Sequence, residues 1–102
     1  MTMTPCITVE ELMDYLGAEE ESRPQVESIR ASALGSLKDA TGVDWSDGSR
    51  DAAVANTAIR TAAWLEFYAL RGGAANEEFL RRHLTAAIKK LEAMADGAEK
   101  PN

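Results

Sequence analysis

The chain has one histidine and one cysteine, the side chains most often used to bind zinc or to act as activated nucleophiles. A zinc site needs about four converging ligands, and His83 and Cys6 are far apart in the sequence. No basic residue adjoins Cys6 to lower its pKa. We interpret His83 as a surface helix residue and Cys6 as a small apolar residue. We therefore expect no catalytic residue, no metal site, no cofactor and no enzymatic activity, and a small hydrolase or metal enzyme is disfavoured.

Three consecutive carboxylates at Glu19, Glu20 and Glu21 raise the question of a cation site. Calcium loops place oxygen ligands at alternate positions, with a glycine at the bend and a distal glutamate. The run lacks that spacing. We interpret it as a solvated acidic loop whose charge complements the positive N-terminal end of the next helix.

The basic cluster of the chain consists of Arg81, Arg82, Lys89 and Lys90, and acidic residues lie close to it in the sequence. This cluster could contact nucleic acid, meet an acidic partner surface, or only keep a helix solvated. The net charge is −6, with −7 on residues 1–48 and +1 on residues 49–102. General DNA binding needs a basic footprint, so the overall charge argues against it. The asymmetry allows head-to-tail contacts that close into a ring, and it is equally compatible with two separately solvated faces.

The segment from Asp51 to Leu70 is apolar on every side of a helix, with 14 apolar residues of 20. Such a helix must be covered all round, so we predict that it is the centre of the domain. Trp64, Phe67 and Tyr68 cluster near its end. They are covered by helices on both sides, by a neighbouring subunit, or by the turn-rich loop that carries Trp45.

Start and stop signals predict an all-α fold, a small four-helix domain with a central apolar third helix. Thr8 with Glu11 forms a capping box, and Gly17 and Gly42 supply helix ends. Ser22 is the expected cap of the second helix, and Asp47 or Ser49 that of the third. The predicted helices cover residues 9–16, 23–41, 50–71 and 77–94.

Two further expectations concern the domain limits and the first helix. We predict one domain over residues 1–95 and a flexible C-terminal tail over 96–102. On the first helix, Leu12 and Leu16 share the inner face with Val9, and Tyr15 is a further candidate for that face.

The order of these elements resembles a known family. A short capped helix, ITVEELMDYLG, comes first; a second helix ends in A-T-G; an apolar helix then carries aromatics near its end, AIRTAAWLEFYALRGG, and an amphipathic last helix follows. This pattern resembles the head–tail connector, or head-completion adaptor, proteins of long-tailed phages and prophages. The resemblance extends over Ile7 to Met94.

The resemblance implies a structural virion protein. Such adaptors form a homo-oligomeric ring, usually a dodecamer, beneath the portal protein, which extends the DNA channel and joins the capsid to the next stopper or tail protein. DNA passes through without specific binding, and no membrane is involved. The implied location is the head–tail interface of the virion, with the host cytoplasm before assembly. The alternative is a small cytoplasmic phage-encoded regulator or inhibitor that binds another protein.

Specific residues take roles under this resemblance. Residues 79–94 and the tail from Asp96 correspond to the portal-facing element. Glu19, Glu20 and Glu21 are candidates for an acidic channel wall. The candidate subunit or portal interface residues are Trp64, Phe67, Tyr68, Arg81, Arg82, Lys89 and Lys90.

Overall fold

The fold is a small all-α domain of four helices, as the sequence predicts. The computed structural model describes residues 3–48, 50–69 and 77–99, and no strand occurs within these ranges. The helices are α1 (Val9–Leu16), α2 (Arg23–Thr41), α3 (Ala53–Ala69) and α4 (Glu77–Glu99), and a 3₁₀ turn at Glu20–Ser22 precedes α2. None of the described helices is both long enough and apolar enough to cross a membrane.

The limits of α1 and α2 agree with the prediction, and those of the other two helices differ. Helix α3 begins at Ala53 and not at residue 50, and α4 runs to Glu99, beyond the predicted end at residue 94. The predicted end of α3 at residue 71, with the glycines that follow it, lies outside the described residues.

Local hydrogen bonds explain where α1 begins and ends. The N–H of Glu11 donates to Thr8 Oγ1 at 3.1 Å, and the N–H of Thr8 donates to Glu11 Oε1 at 3.1 Å, which completes the capping box. Gly17 ends the helix with a left-handed φ of 65°, a conformation that glycine adopts without steric cost. These interactions involve residues within three positions of each other, so the sequence alone could indicate them.

The predicted cap of α2 is wrong, and of the two candidates for α3 only Asp47 lies in the described part of the chain. Ser22 makes no capping hydrogen bond through its side chain, because the 3₁₀ turn already holds it in a helical conformation before α2. Helix α3 begins later than predicted, and Asp51, not Asp47, supplies the carboxylate near its start: Asp51 Oδ1 accepts from the N–H of Ala53 at 3.3 Å. Ser49 lies outside the described residues.

Helix α3 lies at the centre of the domain. It contacts α1, α2 and α4, and α2 also contacts the other three helices, whereas α1 and α4 make no contact with each other in the described part of the chain. Alanines at positions 55, 58 and 63 of α3 are almost fully buried and allow the neighbouring helices to approach closely. Complete burial stabilises the fold by about 1.5–3 kcal/mol for each large apolar side chain; these include Leu12, Leu16, Val26, Ile59 and Leu91.

An extended N-terminal segment is held against α3 by a buried polar residue. Asn56 Oδ1 accepts from the N–H of Ile7 at 2.8 Å, and its Nδ2 donates to the carbonyl of Pro5 at 2.8 Å. Arg30 Nε donates to the carbonyl of Ile7 at 2.7 Å. Because these groups satisfy one another, Asn56 can lie in the core without an unpaired polar atom.

The loop after α2 folds back onto the core through Trp45. This side chain is buried, and its indole N–H donates to Thr41 Oγ1 at 3.0 Å. Trp45 is therefore part of the core, and its hydrogen-bond partner lies at the end of α2 and not on the aromatic end of α3.

Candidate interaction surfaces

The exposed side of α1 is an acidic surface with an aromatic residue. Leu12, Met13 and Leu16 are buried, and the opposite side exposes Glu10, Glu11, Asp14 and Tyr15. We call these four residues the acidic face. Helix α1 has no basic residue, so the charge of this face is not balanced from within the helix.

Arg23 links the acidic face to the start of α2. Its guanidinium contacts Glu10 Oε1 at 2.8 Å and Glu20 Oε1 at 2.5 Å. Hydrogen bonding to this guanidinium lowers the pKa of both carboxyl groups, Glu10 and Glu20, below their usual value. Of the three consecutive glutamates, only Glu20 therefore takes part in this ion-pair network.

Glu19 and Glu21 lie at the rim of a shallow, mostly polar groove next to Phe67 and Tyr68. Both carboxylates are exposed. The acidic run therefore lies at the surface next to α1, as expected for solvated carboxylates. That it faces a DNA channel stays a prediction.

The aromatic residues of α3 form a cluster that α1 covers. Trp64 and Tyr15 pack in a T-shaped arrangement with ring centroids 5.7 Å apart, and the ring centroids of Trp64 and Tyr68 are 4.4 Å apart. The hydroxyl of Tyr68 donates to the carbonyl of Leu16 at 2.5 Å. Phe67 is only 3% exposed and packs against Tyr68.

Phe67, one of the predicted interface residues, is almost fully covered by its own chain. Whether the other predicted residues contact a neighbouring subunit or the portal stays a prediction. Trp64 and Tyr68 are half-buried, and part of their cover comes from α1. The exposed aromatic at this site is Tyr15, which is 44% exposed, although the sequence made it a candidate for the inner face of α1.

The exposed side of α4 is basic, and it also has an aromatic residue. Ala87, Leu91 and Ala95 face the core, and the opposite side exposes residues at helical spacings of three and four. We call them the basic face: Phe79, Arg82, His83, Ala86, Lys89 and Lys90. Phe79 is the most exposed large apolar residue among those described, at 69%, and its ring stacks on that of His83.

Two ion pairs run along α4 and leave the lysines free. Arg81 contacts Glu77 at 2.7 Å and Arg82 contacts Glu78 at 2.8 Å, as the spacing of four residues predicts. Each such pair stabilises the helix by about 0.2–0.5 kcal/mol. Lys89 and Lys90 have no ion-pair partner in the described part of the chain, so their charge is available to another molecule.

A mostly apolar groove of about 390 Å³ lies between α3 and α4, next to the basic face. Its walls include Ala53, Val54 and Thr57 of α3, with Ala86 and Lys90 of α4. Ala87 and His83 of α4 also line it, so the lining combines small side chains with a lysine and a histidine. Its shape and chemistry suit an apolar or aromatic side chain that is accompanied by a carboxylate.

The histidine and the cysteine are not brought together by the fold. His83 is exposed on α4, and Cys6 is half-buried, with its sulfur 3.6 Å from Arg30 Nη2. Burial raises the pKa of the Cys6 thiol even though the Arg30 charge opposes this shift. No group of three or more His, Cys, Asp or Glu side chains in the described ranges is arranged to hold a metal ion.

Comparison with family models, with curated proteins and with solved structures finds no match for this chain. The functional interpretation consequently depends on the two charged faces, on the helix arrangement, and on the residue pattern that resembles the phage adaptors.

Proposed function

We propose that the chain is a structural subunit of a phage head–tail connector, a non-catalytic adaptor that forms a ring beneath the portal. The observation that carries this proposal is the placement of the two charged faces. The acidic face of α1 and the basic face of α4 belong to one small domain, and no contact between the two helices occurs among the described residues. A subunit of this kind can contact one neighbour through each face.

The order of the helices supports the same function. The capped segment ITVEELMDYLG forms α1 and its glycine end, and the A-T-G sequence closes α2 at Gly42. The apolar segment with terminal aromatics forms most of α3. The elements on which the family resemblance depends are therefore formed as helices in the expected order.

The distribution of charge suits a channel through which DNA slides. Glu19 and Glu21 are exposed, and a carboxylate surface repels the phosphate backbone and so prevents DNA from adhering. In a ring with this loop facing inwards, the same repulsion would be repeated by every subunit. The chain needs no sequence-specific DNA contact for this role.

The length of α4 suits an element that reaches the portal. It has 23 residues, which corresponds to about 34 Å of helix at 1.5 Å per residue. Met94 is 38% exposed near its C-terminal part. In the proposed assembly this part of α4, with the residues after it, contacts the portal, in agreement with what the resemblance implies for residues 79–94 and the tail.

Native mass spectrometry of the purified protein with and without the portal protein encoded in the same phage genome tests this proposal. We expect a complex that contains several copies of the chain per portal ring, and no such complex with the portal of an unrelated phage. Free adaptors can stay monomeric, so absence of a ring without portal is compatible with the proposal. A strict monomer that never binds the portal would contradict it, and would favour the small regulator that binds another protein.

A further inference from the structure

The two charged faces also complement each other in a way that identifies a contact between copies. We propose that the basic face of α4 in one copy binds the acidic face of α1 in a second copy, with Tyr15 of the second copy seated in the groove between α3 and α4. This inference deepens the proposed ring and rests on it for the repeated, closed arrangement of the contact.

The faces complement each other in charge, and the acidic face is the shorter of the two. It extends over about 8 Å, from Glu10 to Tyr15, and the basic face extends over about 17 Å, from Phe79 to Lys90, so the acidic face can lie along part of the basic face. Each face has one exposed aromatic residue, Tyr15 on α1 and Phe79 on α4. Tyr15 lies among carboxylates, whereas Phe79 lies beside the Glu78–Arg82 ion pair, so the unpaired positive charge of the basic face is that of Lys89 and Lys90.

Several charges on these faces have no ion-pair partner among the described residues. The Asp14 side chain accepts no hydrogen bond and forms no ion pair within the described residues, and the same ranges hold no ion pair for Lys89 or Lys90. A helix–helix contact between copies would place Asp14 near these lysines. Exposed ion pairs contribute about 0–1 kcal/mol each, so charge would mainly set the partner and the orientation.

Affinity requires apolar burial, and the groove next to the basic face provides it. Ala53, Val54 and Ala86 contribute to its mostly apolar lining, and its volume is about 390 Å³. Tyr15 is 44% exposed at the edge of Trp64. Inserting this ring into the groove of a neighbour would bury apolar surface that the single chain leaves in water.

The contact must join two different copies. Within one chain, the described residues of α1 and α4 make no contact with each other, and the two faces differ in sequence. A contact between unlike faces is heterologous, so each copy keeps one free face after pairing and the contact can repeat until a ring closes. Two short helical surfaces bury less than the area of a standard stable interface, about 1,600 Å², so a single contact is weak and depends on concentration and salt.

Charge reversal on each face tests the contact. Variant A carries Lys89→Glu and Lys90→Glu, and variant B carries Glu10→Lys and Asp14→Lys. Self-association is measured by sedimentation velocity over a concentration series at low ionic strength, and circular dichroism shows whether each variant is folded. We expect wild-type protein to associate and each variant alone to associate at least about tenfold more weakly.

An experiment with a mixture of the two variants is the decisive test of the contact. In the mixture, α4 of variant A is acidic and can bind α1 of variant B, which is basic. The unchanged basic α4 of variant B can bind the unchanged acidic α1 of variant A. We expect the mixture to regain association, and high salt to weaken it. Lys38→Glu and Glu27→Lys, at exposed positions of α2, serve as controls and should leave association unchanged.

The outcomes separate this contact from the proposed function. The contact is overturned if wild-type protein stays monomeric at every concentration, if A and B associate like the wild type, or if their mixture does not regain association. The portal protein of the same phage genome is then added as a probe. If A and B bind it and form the wild-type ring, the inferred contact is wrong and the adaptor function stands. If wild-type protein self-associates through these faces but does not bind the portal, the contact stands and the adaptor function fails.

Discussion

The hydroxyl of Tyr68, on α3, donates a hydrogen bond of 2.5 Å to the backbone carbonyl of Leu16, 52 residues earlier at the end of α1. The last carbonyl groups of a helix have no partner within the helix. Tyr68, on α3, provides a hydrogen-bond donor for the carbonyl of Leu16, and this bond holds the end of α1 against the aromatic cluster.

Removing this hydroxyl with Tyr68→Phe should destabilise the protein by about 0.5–1.5 kcal/mol, the usual net contribution of one hydrogen bond. Urea unfolding followed by circular dichroism measures the change. Tyr15→Phe is the matched control, because the Tyr15 hydroxyl makes no hydrogen bond within the described residues and the ring is exposed. Equal effects of the two substitutions would show that the Tyr68 bond does not stabilise the fold.

Asn56 should be far more sensitive to substitution than other polar residues. Asn56→Ala removes the acceptor for the Ile7 N–H and the donor to the Pro5 carbonyl, and it leaves a buried backbone group unpaired. We expect a loss of about 2–4 kcal/mol, since two hydrogen bonds and one desolvated donor are affected. Ser28→Ala, at an exposed position of α2, should change the free energy of unfolding by less than about 0.5 kcal/mol. A loss for Asn56→Ala as small as that control would contradict the role of Asn56 in holding the N-terminal segment.

The small side chains of α3 should not tolerate enlargement. Ala58 is 1% exposed, so Ala58→Leu forces additional methyl groups between closely packed helices. Overpacking of this kind costs about 1–3 kcal/mol, and thermal unfolding would report it as a lower midpoint. Ala31→Leu places the same substitution at an exposed site of α2 and should be nearly neutral. If Ala58→Leu is also neutral, α3 is less closely covered than the structure indicates.

Acid should weaken the fold partly through Arg23. This arginine lowers the folded-state pKa of Glu10 and Glu20 below 4.5, the usual value for a glutamate. A lowered folded pKa means that the stabilisation is present above the unfolded pKa and is lost as pH falls through the folded pKa. Arg23→Gln should therefore lower the urea midpoint at pH 7. The urea midpoint of the variant should also decrease less between pH 5 and pH 3 than that of the wild type.

Lys89→Gln is the control for this pH experiment. It also removes one positive charge, and Lys89 has no ion-pair partner in the described part of the chain. A pH profile for Arg23→Gln that equals the wild-type profile would show that the two glutamates do not depend on Arg23.

Local signals account for what could be predicted from the sequence. The capping box at Thr8 and the glycine ends of α1 and α2 depend on residues within a few positions of one another, and the pairing of Arg81 with Glu77 depends on helical spacing alone. The central position of α3 follows from its apolar surface, because no other helix of the chain requires cover on every side.

Contacts between distant residues could not be predicted in the same way. Asn56 accepts a hydrogen bond from Ile7, which is 49 residues away in the sequence. Arg23 forms ion pairs with Glu10 and Glu20, although other carboxylates lie near it in the sequence. The exposure of Tyr15 depends on the exact angle at which α1 lies on Trp64. In a helix of eight residues, the spacing of apolar residues defines the buried side only to within about one residue position. The sequence therefore could not show that Tyr15 lies outside the buried side.

Under the proposed function, the genome that encodes this chain also encodes a portal protein. Electron microscopy of that portal protein, imaged alone and after incubation with this chain, tests the central claim most directly. The adaptor function predicts an additional ring of density, coaxial with the portal, that extends its channel and is absent when the chain is omitted. Portal particles that look the same with and without the chain, at concentrations where the chain is folded, would contradict the account.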